Sequence, residues 1–149
     1  MPTIRTEFAV DADADAVWDA VRDVGAVHRR LAPGFVTDVR LEEGARIVTF
    51  GNGLVIRERL IEIDDTARRL AYSATGGRAE HHNASIEVFS DGPGRCRVRW
   101  ITDLLPDSVA GLVGAMIEQG TEAMRQTLGR TAVAQARSEA PPSIAAPSA

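Results

Sequence analysis

Glu58 is the residue around which chemistry could be built. In the run Leu54–Ile63, Leu54, Ile56, Glu58 and Leu60 fall on one side of an extended chain, and Val55, Arg57, Arg59 and Ile61 on the other. The two arginines mark the side that faces water, which leaves a single carboxylate among apolar neighbours. A carboxylate withdrawn from water has to be protonated, paired or reached by solvent. The same alternation turns His82 inward with Ala84, Ile86 and Val88, and sends His81 outward with Asn83, Ser85 and Glu87. Tyr72 goes inward with Leu70 and Ala74, and Trp100 with Cys96, Val98, Thr102 and Leu104. Three roles are open to Glu58. It can pair with an arginine or water near the mouth of an interior space, or orient a ligand together with His82 and Tyr72. It can also share a proton with His82 as a general acid–base pair acting on a carbonyl.

The other reactive side chains lead less far. His28, beside Arg29 and Arg30, reads as a solvated helix end. His81 and His82 point to opposite faces of one strand, and no His-x-His or His-x-x-x-His spacing occurs, so no metal is expected. Cys96 reads as a small core residue, and a lone cysteine forms no internal disulfide. No glycine-rich loop leads into a helix N-terminus, so neither a nucleotide nor another cofactor is expected.

The elements that must position these residues follow from the hydrophobic pattern. Thr3 to Val10 alternates as a half-buried strand. Asp11 or Asp13 caps a helix to about Val24, with Ala14, Val17, Trp18 and Val21 at helical spacing, and Gly25 ends it. A short second helix, Ala26 to Leu31, stops at Pro33-Gly34. Strands are then expected at Phe35–Glu42, Ala45–Phe50, Leu54–Ile63, Ala67–Thr75, Glu80–Phe89 and Arg95–Leu105, joined by short glycine-bearing turns as in an antiparallel meander. After Pro106 comes one long amphipathic helix, Asp107 to about Ala136. Its apolar stripe is Val109, Val113, Met116, Ile117, Gly120, Met124, Thr127 and Leu128, with Glu118, Glu122, Arg125, Gln126 and Arg130 around the rest. Gly120 in the middle of that stripe costs about 1 kcal/mol against Ala. It permits either close packing on a sheet or a helix that roofs a cavity, which a larger residue at this position would fill. A sheet with one face to bury and a helix with one apolar stripe have a joint solution, the sheet curling round the helix.

Composition narrows the function classes. The 149 residues make one domain, with 44% hydrophobic and 26% charged residues, ordinary for a soluble protein. Only 5% are aromatic, so an apolar interior is lined mainly by aliphatic side chains and Met. A net charge of −4 and a pI near 5.4, with no Lys/Arg block, argue against a nucleic-acid surface. No apolar run approaches membrane-spanning length and no leader pattern is present, so a cytoplasmic protein without membrane insertion is expected. Residues 138–149, rich in Ala, Pro and Ser, read as a disordered tail after a domain spanning 1–137.

This order of elements resembles the START-like superfamily, also called SRPBCC, the polyketide cyclase/dehydrase and lipid-transport group. It includes the birch-pollen allergen and the plant abscisic-acid receptors. Four pieces between Thr3 and Ala136 carry the resemblance: Ala14-Asp15-Ala16-Val17-Trp18-Asp19, Glu58-Arg59-Leu60-Ile61-Glu62-Ile63-Asp64, Arg68-Arg69-Leu70-Ala71-Tyr72, and Val98-Arg99-Trp100 before Pro106. Arg69 to Asn83 is faintly similar to the latch region of the hormone receptors. Their histidine spacing is not kept and no proline-bearing gate follows Phe50, so a hormone receptor is not expected.

The resemblance implies an α+β helix-grip fold, a curved antiparallel sheet of about seven strands round the long helix, with two short helices after the first strand. It also implies a cavity between sheet and helix for an apolar or amphipathic, lipid- or polyketide-like molecule. The expected wall is Ile56, Glu58, Leu60, Tyr72, His82, Ala84, Ile86 and Trp100 from the sheet, and Val113, Met116, Gly120 and Met124 from the helix. Glu58 and His82 would be its polar anchors, in line with the matching receptor glutamate, which faces that pocket. The alternatives are a polyketide aromatase/cyclase or dehydratase using Glu58 and His82 as acid and base, and a regulatory protein that binds a partner protein. Either a monomer or a homodimer is compatible with the sequence.

Overall fold

The computed structural model describes residues 2–139, and side chains through residue 129. Seven strands form one antiparallel sheet: β1 (Thr3–Val10), β2 (Val36–Glu42), β3 (Ala45–Phe50), β4 (Val55–Asp64), β5 (Arg69–Thr75), β6 (His81–Ser90) and β7 (Cys96–Leu105). Their order across the sheet is β1-β7-β6-β5-β4-β3-β2, so β2 to β7 run as a meander and β1 closes onto the last strand. α1 (Ala14–Arg22) and a single π-helical turn (Val27–Leu31) carry the chain from one edge of the sheet to the other. α2 (Ala110–Glu139) is entered through a 3-10 turn at Asp107–Val109 and lies against β1 and the π-helical turn.

The protein therefore has the helix-grip architecture, with register breaks near Val36/Asp38 and Leu60/Glu62 that help the sheet bend. The expected strands match within a few residues. The expected second short helix is one π-helical turn. Asp13 stands at the N-cap of α1 without a side-chain capping bond, and its Oδ1 instead accepts the Gly94 amide, pinning the β6–β7 turn to the start of α1. α2 extends through Ser138 and Glu139, slightly beyond the expected boundary, and the rest of the expected tail lies outside the described residues.

Alternation assigns the two faces as the sequence implies. On the outer face Arg97 and Arg99 both pair with Glu7, Arg69 pairs with Glu62, and Arg57 with Glu42, all partly exposed. On the inner face Val48, Leu70, Ile86, Val88, Cys96 and Val98 are buried with Val17, Trp18 and Val21 of α1 and Met124 and Leu128 of α2 in one core. α1 is tied to the β4–β5 turn by polar contacts as well. Trp18 Nε1–H and Arg22 Nε–H both donate to Asp65 Oδ1, at 2.9 and 2.8 Å, and Arg68 pairs with Asp15.

Candidate functional site

Where the core stops, the inner face of the sheet and α2 stand apart around a cavity of about 330 Å³. That is at the small end of the range for ligand pockets, ~300–1,000 Å³. Of the expected wall, Ile56, Glu58, Tyr72, His82, Ile86, Trp100, Val113, Met116, Gly120 and Met124 line it. Leu60 and Ala84 do not. Leu60 precedes the register break in β4 and is half-buried against the core. Ala84 is buried between Tyr72 and Thr102 across the ladder. The π-helical turn contributes Val27 and Leu31, and the aromatic pair Phe35 and Phe50 closes one side, with ring centroids 5.2 Å apart in an edge-to-face arrangement.

Gly120 has a different role from the one its place in the stripe suggests. A Cβ built there would lie 2.8 Å from Phe35 Cε2, so the ring of Phe35 already fills the space a side chain would claim. A larger residue at 120 meets Phe35 first and does not simply occupy empty cavity.

The polar end of the cavity is built on one row across the sheet. The β3–β4 ladder sets Arg46 opposite Glu58, and the β4–β5 ladder sets Glu58 opposite Ala74. Continuing the β5–β6 register by one pair brings Ala74 opposite His82. Four inward residues, Arg46, Glu58, Ala74 and His82, thus follow one another on adjacent strands and all line the cavity. Arg46 Nε–H donates to Glu58 Oε1 at 2.8 Å, both side chains being less than a tenth exposed. The guanidinium also donates from Nη1 to the Val24 carbonyl at 3.3 Å, and its Cζ lies 5.2 Å from the centre of the Tyr72 ring. The carboxylate is therefore paired, and paired deep in the fold; a mouth arginine is not its partner.

Glu58 and His82 do not form an acid–base pair. With one strand between them their backbones stand about 10 Å apart. Among the described residues no hydrogen bond or ion pair joins them, and the Ala74 methyl leaves a notch between. Burial, helped by the nearby His81, pushes the His82 pKa below its ordinary value, so the imidazole is neutral near pH 7. Tyr72 accepts a hydrogen bond from Trp100 Nε1–H at 3.2 Å. Burial first and the Glu58 charge second raise its pKa, against smaller opposing effects of Arg46 and Trp100, so the phenol keeps its proton and can donate. Within the described residues Glu58 Oε2 accepts no hydrogen bond. The row and the neighbouring Tyr72 can therefore offer one acceptor, one phenolic donor and a neutral imidazole to a guest.

Arg46 is not among the residues expected at the cavity, although the chain carries a signal for it. A hairpin centred on Asn52, in Gly51-Asn52-Gly53, sets residues 46 and 58 opposite one another. The remaining candidates lie elsewhere. His28, expected at a solvated helix end, is instead half-buried; it does not line the cavity, and its buried Nδ1 has no hydrogen-bond partner among the described residues. His81 is exposed on the outer face. Cys96 is buried, its thiol pushed up to about 11 mainly by burial, as suits a core residue. Among the described residues no three His, Cys, Asp or Glu side chains gather as a metal site, and no helix is long and apolar enough to cross a membrane.

With this geometry in hand, the chain is assigned by comparison with known proteins. It belongs to the polyketide cyclase/dehydrase and lipid transport family, whose model matches residues 1–135. Among solved structures it is similar to a protein from Thermobifida fusca, 29% identical over 93% of this chain and 96% of that one, with a TM-score of 0.70. It is also similar to an aromatase/cyclase from Streptomyces, at 18% identity, 93% and 96% coverage and a TM-score of 0.71. A third is norcoclaurine synthase from Thalictrum flavum bound to a transition-state analogue, at 22% identity, 90% and 95% coverage and a TM-score of 0.70. The last two likenesses establish the fold and no more. No curated protein matches the chain.

Proposed function

We propose that this protein binds an apolar or amphipathic small molecule, lipid- or polyketide-like, in the cavity between sheet and α2. The observation that carries the reading is an aliphatic and aromatic chamber with one polar row, Arg46–Glu58–Ala74–His82, across its sheet wall. The charges in that row neutralise each other within the protein, so a guest need bring no counter-charge to this end. A hydroxyl on the guest can donate to Glu58 Oε2, and a carbonyl can accept from Tyr72. The apolar remainder lies against Ile56, Val113 and Met116, where each CH₂ removed from water is worth about 0.8 kcal/mol.

An aromatase/cyclase- or dehydratase-type enzyme is the second reading. It is favoured by His82, a neutral imidazole in the cavity wall that makes no hydrogen bond among the described residues and could take up a proton. Glu58, held by Arg46, is then a positioning residue and not the base. On this reading His82→Gln abolishes turnover of a poly-β-keto substrate while leaving its binding within a few-fold.

Native mass spectrometry of the freshly purified protein, followed by extraction and identification of what it carries, tests the first reading. A bound lipid- or polyketide-sized molecule that is missing from the Ala74→Leu variant supports it. A bare protein that also gains no thermal stability from a panel of apolar ligands overturns it.

A further inference from the structure

Besides the Arg46–Glu58 pair, one charged side chain lines the cavity among the described residues: Arg78, in the loop between β5 and β6. It differs from Arg46 in every respect that matters. Arg78 is exposed, and among the described residues it makes no ion pair or hydrogen bond. Arg5, Arg29, Arg40 and Arg59 also lack ion pairs among the described residues, but none of them lines the cavity. The loop that carries Arg78 is held in place on both sides. Gly76 has φ +100°, and a Cβ there would lie 3.4 Å from the Val55 carbonyl oxygen; a Cβ on Gly77 would lie 3.1 Å from Ile56 Cδ1. On the far side the Glu80 amide donates to the Leu105 carbonyl at 2.8 Å. The loop is thus pressed onto β4 and tied to β7, which keeps the Arg78 backbone beside the cavity. Leu112, about half exposed, and Leu54 also line the cavity and add apolar surface to it.

An apolar chamber whose polar row is internally neutral, with one uncompensated cation in its exposed wall, suits a guest of one polarity. We propose that Arg78 selects amphiphiles bearing an anionic oxygen group, a carboxylate or a phosphate ester. The apolar body enters first and the anion stays at the mouth on the guanidinium. The inference rests on the cavity-binding reading above and adds to it the charge and direction of the guest. A planar guanidinium at the end of a flexible side chain can grip either group through two N–H donors, and it stays charged at any working pH.

Two fluorescent probes with the same aromatic body test this: the anionic 8-anilinonaphthalene-1-sulfonate and the neutral N-phenyl-1-naphthylamine. Each is titrated into the wild type, Arg78→Gln, Arg78→Lys and Ala74→Leu. The expected result is tighter binding of the anionic probe to the wild type, an advantage that Arg78→Gln reduces about fivefold, the scale of a partly exposed charge contact. Arg78→Lys restores part of it, and added salt erodes it. If both probes bind and Arg78→Gln leaves their ratio unchanged, the inference is overturned while cavity binding stands. If neither probe binds, or binding is indifferent to Ala74→Leu, cavity binding fails and the inference with it. Displacement of the neutral probe by decanoic acid, decyl phosphate and decanol then separates the head groups. The stronger of the two acids names the anion, and decanol displacing as well as both acids overturns the proposal.

Discussion

Two arginine–glutamate pairs, both reaching β4, show how little the pairing itself decides. On the outer face Arg57 Nε lies 3.0 Å from Glu42 Oε1, each side chain a little over 40% exposed. On the inner face Arg46 Nε lies 2.8 Å from Glu58 Oε1, at 4% and 9%. Length and chemistry are nearly the same. Water screens the first, so it contributes about 0–1 kcal/mol. The second has given up its hydration, and its two charges depend on each other. It is a poor source of net stability but a strict constraint on its own integrity. The outer pair decorates the sheet; the inner one shapes the end of a cavity.

Removing half of each pair should separate them most sharply. Arg46→Met leaves a buried carboxylate without its partner and is expected to cost about 3–5 kcal/mol in chemical denaturation, most of it recovered in the Arg46→Met/Glu58→Leu double variant. A double variant as unstable as the single one would mean that Arg46 serves mainly through Val24 and Tyr72. Next in size is Ala74→Leu, which fills the notch between Glu58 and His82. Ligand or probe affinity should fall more than about tenfold, because the added atoms occupy guest space, with any loss of stability no larger than about 3 kcal/mol. Gly120→Ala sets helix propensity against the Phe35 ring. The gain of about 1 kcal/mol from the alanine is offset by displacing the ring, so the melting temperature should barely move while the aromatic NMR signals of Phe35 and Phe50 shift. Arg57→Met, the outer-face counterpart of the first change, should cost no more than about 1 kcal/mol.

The inner face also carries a pH signature. The pKa of His82 is lowered in the folded protein, so the folded state takes up this proton less readily than the unfolded chain. The contribution is fully present above the ordinary value of 6.5 and is lost as pH falls through 6.5 toward the lower folded value. Denaturation midpoints measured at descending pH should drop in this window, and His82→Gln should flatten that part of the profile. An unchanged profile would place His82 in water.

Much of this was legible in the chain because strands state their facing every second residue. Arginines on the face opposite Ile56 and Glu58, and again opposite Val98 and Trp100, mark the wet side and turn Glu58 and Trp100 inward, while apolar neighbours at every second position do the same for Tyr72 and His82. The same reasoning hid Arg46. An arginine in a strand reads as a solvent marker, yet Arg46 shares a face with Val48 and Phe50, and the hairpin at Asn52 delivers it to Glu58. Leu60 faces inward beside Tyr72 as alternation says, but it packs on the core and not on the cavity, because alternation gives the face of a residue and not where along that face the chamber ends. Phe35 and Arg78 stand in or beside connecting loops, where side-chain direction follows backbone turns and not a period. Their places at the cavity needed three dimensions.

The chain has two tryptophans, and the fold has given them separate duties. Trp100 stands in the cavity wall with its indole N–H on the Tyr72 hydroxyl, while Trp18 is anchored on α1 to Asp65. Replacing Trp18 by Phe would therefore leave a single tryptophan, looking into the chamber, which excitation at the red edge of the band selects over Tyr72. Its emission wavelength and its quenching by acrylamide would report filling and emptying in real time, without a label.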